Sequence, residues 1–223
     1  TVYWVNDDSK ADLLDFDINF LSKSKVLTYH LSYILERHAE EFLGIQETHL
    51  LLESIEPKYN ELLAETQRVI PLQKINDILK RLVSEGISIR NLRLILEAIV
   101  EWGPKEKDLV TLVEYVRSNL RRQISHHYSN GRNSISVYLL DAALEEEIRG
   151  AIRQTSTGSY LALDPETASN FLAAVRSHIK NLSDISQKPV LLAPMDIRRF
   201  VRKLLESEFS DLSVLSHQDI TSN

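Results

Sequence analysis

The sequence contains no cysteine, which excludes disulfide bonds and thiolate metal sites. Glycine and proline are scarce, with six of each, and aromatic residues make up only 7% of the chain. No apolar run approaches the roughly 20 residues that span a bilayer, so we expect no transmembrane helix in this stretch. With 43% hydrophobic residues, the composition is typical of an ordered, helix-rich globular protein. The only methionine is Met195, so we expect this to be an excised part of a longer protein.

Local signatures of common catalytic sites are also missing. The sequence has no nucleophile-elbow motif, no P-loop and no glycine pattern for dinucleotides. His38 is followed by Glu40 and Glu41, and a histidine and a carboxylate three residues apart could share a metal on one helix face. A helical di-metal site needs that arrangement from two helices, and the second copy is absent. We therefore expect no enzymatic activity, no metal and no cofactor; the alternative is a metal-dependent hydrolase built around His38.

Charge is distributed unevenly along the chain, whose formal net charge is −6. The balance of Lys and Arg against Asp and Glu is −7 for residues 1–70, +3 for 71–130 and −2 for 131–223. Such an asymmetry suits subunits that pack side by side with opposed potentials. Nucleic-acid binding needs a domain-wide positive charge with interleaved aromatic residues, which the last third lacks, so we expect no nucleic-acid partner.

Two basic clusters stand out against this background. The first comprises Arg117, Arg121 and Arg122 and lies near the end of a predicted helix, where the helix macrodipole favours cations. A subunit contact with an acidic neighbour is the alternative interpretation. The second comprises Arg198, Arg199, Arg202 and Lys203, for which a solvated helix face is the simplest interpretation.

Residues 71–102, PLQKINDILKRLVSEGISIRNLRLILEAIVEW, predict two amphipathic helices. Pro71 suits the opening of the first helix and Gly86 its end. Ser88 is a candidate N-cap for the second helix, which Gly103 and Pro104 stop. A third helix over residues 107–127 completes a compact three-helix unit.

The flanking regions alternate between strand and helix signals. We expect strands over residues 2–5 and 15–20, then a helix that Ser22 or Ser24 caps and that ends near Gly44, then a helix over 46–56 that stops before Pro57. After residue 130 we expect strands over 135–140, 189–193 and 212–215, with helices from Asp141 to about residue 153, from Asp164 to about 182, and over 194–207. The last two strands and their helix predict a βαβ unit.

The phrase LVSEGISIRNLRLILEAIVEW, followed by DLVTLVEYVRSNLRRQI, resembles the central helical subdomain of the type III secretion export gate, the FlhA/LcrD/InvA family. HAEEFLGIQETHLLLESIE upstream and PVLLAPMDIRRFVRKLLESEFSDLSVLSHQDI downstream continue the resemblance, which covers most of residues 24–220. Asn91 stands where the flagellar pattern usually has Asp, and Leu94 where it usually has Thr. These departures favour a virulence, or injectisome, member.

The resemblance implies a helix-rich, multi-subdomain α+β fold. Its parts are a truncated N-terminal α/β piece with helices over residues 1–70, a central three-helix unit over 71–130, and a C-terminal α/β subdomain with a βαβ unit over 131–223. It also implies the cytoplasmic domain of a bacterial inner-membrane protein, a non-enzymatic nonameric ring that docks chaperone–substrate complexes and contacts other export proteins. A stand-alone helical adaptor that binds one peptide partner is the alternative.

Candidate site residues follow from the same resemblance and from helix geometry. Tyr29 and Tyr33 are four residues apart and share a helix face, where two phenols could anchor a partner peptide. Tyr29 also aligns with a position that borders the docking cleft in flagellar members of the family. Partly buried packing residues are the alternative interpretation of this pair. Candidate ring-interface residues are Arg90, Arg93, Arg117 and Arg121.

Overall fold

The fold is described from a computed structural model, over residues 4–6, 13, 20–155, 158–179 and 190–220. Over these ranges the chain forms nine α-helices, five short strands and two 3-10 helices, and the predicted α+β class is confirmed. The helices are α1 Lys23–Arg37, α2 Ile45–Val69, α3 Leu72–Ser84, α4 Leu92–Trp102, α5 Leu109–Asn119, α6 Arg121–Ser129, α7 Ala142–Gly150, α8 Pro165–Ile179 and α9 Met195–Glu206. The strands are β1 Val137–Leu139, β2 Ile152–Thr155, β3 Gly158–Leu161, β4 Val190–Ala193 and β5 Ser213–Ser216.

The N-terminal region differs from expectation in its helix boundaries. Ser22 caps α1 as predicted, because its hydroxyl accepts a hydrogen bond from the N–H of Lys25. The helix ends at Arg37 rather than near Gly44, and the 3-10 helix Ala39–Phe42 bridges the interval. The predicted strands over 2–5 and 15–20 fall largely outside the described residues, and residues 4–6 lie in no strand.

Helix α2 is longer than predicted because Pro57 does not end it. Tyr59 takes non-helical backbone angles of φ −136° and ψ 38°, and the helix resumes beyond it to Val69. Proline removes one backbone donor and crowds the preceding turn, so a kink is the expected local response. Apart from Tyr59, residues 57–69 are therefore helical, and they contribute the buried side chains of Leu63 and Thr66 to the packing against the central unit.

The two amphipathic helices predicted over residues 71–102 are confirmed as α3 and α4. Gly86 ends α3 in a Schellman motif: the N–H of Gly86 donates to the carbonyl of Val83, and the N–H of Ile87 donates to the carbonyl of Leu82. Gly86 has φ +71°, a left-handed conformation that glycine adopts without strain. Pro71 occupies the N-cap of α3 rather than its first turn.

Two further boundaries in the central unit were predicted wrongly. The N-cap of α4 is Asn91, whose side chain accepts from the N–H of Leu94, and Ser88 lies in the preceding loop. The expected single helix over 107–127 is two helices, because Leu120 leaves helical geometry with φ −87° and ψ 6°. The predicted apolar stripes are correct, and Ile75, Leu79 and Ile95 are fully buried. Burying such a side chain stabilises a fold by about 1.5–3 kcal/mol.

The C-terminal region contains a parallel three-stranded sheet in the order β1-β4-β5 and a separate antiparallel hairpin, β2-β3. The predicted pairing of the last two strands is confirmed as parallel, with α9 between them. Helix α7 ends at Gly150, so the prediction that it reaches about residue 153 was wrong. Thr155 ends β2 and Gly158 starts β3, and neither strand was predicted from the sequence.

Both faces of β4 and β5 are buried, as is usual for parallel strands, whereas Val137 and Leu139 of the edge strand β1 are exposed. Val190, Leu192 and Leu215 pack into the cluster formed mainly by α2 to α6, whereas Leu191 and Val214 pack into a second cluster with α7 and α9. Because successive side chains of a strand point to opposite faces, the sheet lies between two hydrophobic layers. The subdomain limits at residues 70 and 130 stay predictions. Within the described ranges, no helix is long and apolar enough to cross a membrane.

Candidate functional site

An open groove of about 950 Å³ lies where α1, the central helices and the C-terminal region meet. Residues within the ranges 33–40, 83–90, 127–130 and 202–214 contribute its lining, and we call it the junction groove. Three sequence-predicted candidates, Tyr33, Arg90 and Arg117, line it together. These residues are far apart in the sequence, so the fold rather than any local motif assembles the groove.

Beneath the groove lies a group of five charged residues with little or no solvent exposure, here called the charge cluster: Glu85, Glu114, Arg117, Arg198 and Asp219. Arg198 donates to Glu85 at 2.5 and 3.1 Å and to Glu114 at 2.5 and 2.6 Å. Arg117 donates to Glu85 at 2.8 Å and to Asp219 at 2.8 and 3.3 Å. The cluster therefore connects the end of α3, helices α5 and α9, and the 3-10 helix His217–Asp219.

Glu85 is the member of the charge cluster that both arginines share. Burial alone raises the pKa of its carboxyl group, but the guanidinium groups of Arg117 and Arg198 outweigh burial and lower that pKa to about 2. Its side chain is 20% exposed and lines the groove, whereas those of Arg117 and Arg198 are each 1% exposed. The groove floor thus carries a carboxylate that is ionised at neutral pH and held by two buried cations.

The charge cluster corrects two interpretations of the sequence. Arg117 is buried inside its own chain, so it cannot be a first point of contact between subunits, and we leave it out of the ring-interface candidates. Arg198 is likewise buried, and Lys203 is the one exposed member of the basic strip on α9. Arg202 donates to backbone carbonyls of the loop after α9, and Arg199 donates to Asp108 and Ser159.

A sequence signal for the cluster existed but was weak. Glu114 and Arg117 are opposite charges three residues apart on the apolar helix α5, and Arg198 directly follows the buried Ile197. Charged side chains in such positions are almost never fully buried unless they are paired. Their partners Glu85 and Asp219 come from a helix end and a 3-10 helix that are distant in the sequence, and no local pattern reveals those contacts.

Two hydrogen bonds join the segments that carry the remaining arginine candidates. The side chain of Asn119 donates to the carbonyl of Leu94 at 2.7 Å, and that of Gln123 donates to the carbonyl of Ser88 at 2.5 Å. These bonds hold the end of α5 and the start of α6 against the first turn of α4 and the loop before it. Exposed side chains there form what we call the basic face: Arg90, Arg93, Arg121 and Arg122.

The break at Leu120 changes the electrostatic setting of this face. Arg121 and Arg122 were expected at a helix C-terminus, but they occupy the first turn of α6, where the macrodipole disfavours cations. Arg93 forms an ion pair with Glu97 at 3.0 Å on its own helix. Arg90, Arg121 and Arg122 are exposed and form no ion pair among the described residues, so their positive charge can face an acidic partner.

The tyrosine candidates lie on α1, a helix whose side chains are almost all exposed. Helix α1 buries no side chain, and Tyr29 is 62% exposed, Tyr33 42%. The hydroxyl of Tyr33 accepts a hydrogen bond from Arg37 at 3.2 Å. Tyr33 lines the junction groove, whereas Tyr29 lies outside its lining. The alternative that both are partly buried packing residues does not fit Tyr29.

His38 and Glu41 form a local pair at 2.8 Å, both substantially exposed. Over the described ranges, no group of three or more side chains is placed to hold a metal ion.

The architecture defines a class: a helix-rich α+β domain whose parallel sheet is layered against a helical unit and anchored to it by buried charges. The chain belongs to the FHIPEP family, whose model matches residues 1–223, and the resemblance to the type III export gate seen in the sequence is confirmed. Low calcium response locus protein D of Yersinia pestis is 54% identical over 219 residues, which make up 98% of this chain and 31% of that protein.

Solved structures agree with this assignment. The Chlamydia pneumoniae CdsV and CdsO protein complex contains a chain with 50% identity and a TM-score of 0.89, over 98% of this chain and 64% of that one. Nonameric EPEC SctV-C matches with 40% identity and a TM-score of 0.84, over 98% of this chain and 66% of that one. The chain spans about a third of the length of the full relatives and about two thirds of these solved domains.

Proposed function

We propose that this chain forms part of the cytoplasmic platform of a type III protein secretion export gate in the bacterial inner membrane. The observation that carries the proposal is its family membership together with its similarity to a domain solved as a nonamer. The platform is not an enzyme in this proposal. It assembles as a ring, receives chaperone–substrate complexes and supports their export.

A ring requires each subunit to present two different surfaces, because a head-to-tail contact closes around an axis. We propose the basic face as one of them, with Arg90, Arg93 and Arg121 contacting an acidic surface of the next subunit. We propose that residues 20–70, with eight glutamates against five lysines and arginines, supply such an acidic surface. Complementary charge of this kind sets register and association rate more than affinity.

Assembly of the purified chain tests this part of the proposal. We expect charge reversal at Arg90, Arg93 and Arg121 to shift the mass distribution toward monomer while the far-UV circular dichroism stays unchanged. Reversal of the exposed Lys74, Lys107 and Lys203 is the matched control, because it changes net charge equally outside the basic face. Unchanged assembly in the arginine variant would reject the basic face as a ring contact.

The exposed face of α1 is proposed to dock partners. Exposed tyrosines combine a large apolar surface with a hydroxyl group, and such residues are enriched among the anchors of protein interfaces. We expect Tyr29→Ala with Tyr33→Ala to weaken binding of a secretion chaperone bound to its substrate, measured by biolayer interferometry. His30→Ala on the same exposed helix is the control. Partner proteins of the CdsO type are tested in the same assay, since CdsV of Chlamydia pneumoniae was solved in complex with CdsO.

A further inference from the structure

The ends of four helices meet at the junction groove. Helix α1 ends at Arg37, α3 at Ser84, α6 at Ser129 and α9 at Glu206. Each of these positions, or the residue beside it, belongs to the groove lining. The last carbonyl groups of a helix lack partners within it and carry the negative end of the macrodipole. Four such ends around one groove favour the binding of a positively charged group.

The exposed side chains of the groove add negative charge. Its exposed acidic residues outnumber its exposed arginines by four to two: Glu36, Glu40, Glu206 and Asp211 against Arg37 and Arg90. Arg202, which also lines the groove, is half-buried and donates its N–H groups to the carbonyls of Phe209, Ser210 and Leu212. The guanidinium group of Arg202 therefore binds carbonyl groups of its own chain.

The floor of the groove carries a further negative group. The carboxylate of Glu85 reaches the groove with 20% of its side chain exposed, and the buried Arg117 and Arg198 hold it in place from below. A carboxylate fixed in this way needs no reorganisation to accept a hydrogen bond from an incoming cation. Charge-assisted hydrogen bonds of this kind are stronger than neutral ones.

The size and apolar content of the groove indicate the type of ligand. Its volume of about 950 Å³ lies within the range of pockets that hold small ligands or a few side chains. Tyr33, Val83 and Ile89 add partly exposed apolar surface beside the charges. The aliphatic stems of lysine and arginine pack well on such surface while their charged heads reach acidic groups.

We propose that the junction groove binds a short, extended basic segment, rich in lysine or arginine, from a partner protein. The chemical class of the ligand follows from the groove alone, and only the assignment of the partner to the secretion apparatus rests on the proposed function. A single copy of the chain contains the whole groove, and of the residues proposed for the ring contact only Arg90 also lines it.

Fluorescence anisotropy tests the proposal with a labelled peptide in which lysine alternates with alanine. We expect saturable binding to the chain and no comparable binding of the counterpart in which glutamate replaces lysine. Glu206→Lys with Asp211→Lys should weaken the affinity by about tenfold or more, because it reverses two of the four exposed acids. Both residues are exposed, and circular dichroism verifies that the variant is folded.

The matched control is Glu56→Lys with Glu61→Lys, which makes the same change of net charge on α2, outside the groove lining. We expect this control to retain the affinity within about twofold, since distant exposed charges are screened. Equal losses in the two variants, or no loss in the groove variant, would overturn the proposal. Displacement of the peptide by an equal concentration of spermine would also overturn the proposal, because the groove would then bind any polycation without recognising a peptide. Binding is measured on the monomer, so failure of ring assembly does not affect the result.

Discussion

Replacing Arg198 by methionine is expected to destabilise the chain strongly, because it removes the cation that two buried or half-buried carboxylates share. The guanidinium group of Arg198 is 1% exposed and donates to Glu85, Glu114 and the carbonyl of Val214. Methionine fills most of the same volume but removes the charge. Glu114, 4% exposed, then keeps no cationic partner among the described residues.

The magnitude follows from the cost of an uncompensated buried charge. Removing one member of a buried ion pair costs about 3–5 kcal/mol, and we expect a loss in that range for Arg198→Met. A domain is typically stable by about 5–15 kcal/mol, so this loss is a large part of the total. Lys203→Met is the matched control on the same helix: Lys203 is exposed, and we expect a change within about 0.5 kcal/mol.

Urea unfolding at neutral pH, followed by circular dichroism and by tryptophan fluorescence, measures both free energies of unfolding. Trp102 is a suitable probe because its ring stacks on Tyr115 at 4.2 Å in the central unit. Adding Glu114→Leu to Arg198→Met removes the stranded carboxylate and should recover at least about 1 kcal/mol. A loss below about 1 kcal/mol for Arg198→Met, or no recovery in the double variant, would refute the buried charge cluster.

Two further predictions concern the turn that carries the cluster. The pKa of Glu85 in the folded chain is about 2, which is below its ordinary value of 4.5. The ionised carboxylate therefore stabilises the fold by on the order of 3 kcal/mol above about pH 5. This contribution is lost as the pH falls toward 2. Glu85→Gln should therefore flatten the pH dependence of the unfolding free energy over that window, and a wild-type slope in the variant would contradict this. Gly86→Ala should cost about 1 kcal/mol because φ is +71° there with open space around the added Cβ. Gly150 lies in ordinary helical geometry with open space around an added Cβ, so Gly150→Ala should instead stabilise the chain by up to about 1 kcal/mol. Equal changes in the unfolding free energy for the two variants would show that backbone strain at Gly86 is not the cause.

Sequence patterns predicted the elements whose determinants are local. The stripes of α3 and α4, the stop at Gly86 and the cap at Ser22 depend on residues within one or two turns of each other, and all are present. The family resemblance also came from contiguous residues, because the helices and the turn between them are encoded together in residues 71–102. The α+β class followed from the order of these elements.

Contacts between distant residues were not predictable in the same way. Arg117 and Arg198 lie 81 positions apart, and the acids that neutralise them come from a helix end, a helix face and a 3-10 helix. A basic strip on a helix is usually solvated, so the burial of Arg198 reversed an interpretation that was reasonable locally. The break at Leu120 and the continuation of α2 past Pro57 likewise depend on tertiary packing, which overrides local propensity.

The central claim is that this chain itself carries surfaces that close a ring. The most direct test is the mass distribution of the purified chain, measured by mass photometry and sedimentation across a wide concentration series at low and moderate salt. The account predicts a closed species of the nonameric size found for EPEC SctV-C, which weakens as salt screens the basic face. A monomer that persists at every concentration and at both salt levels would contradict the claim.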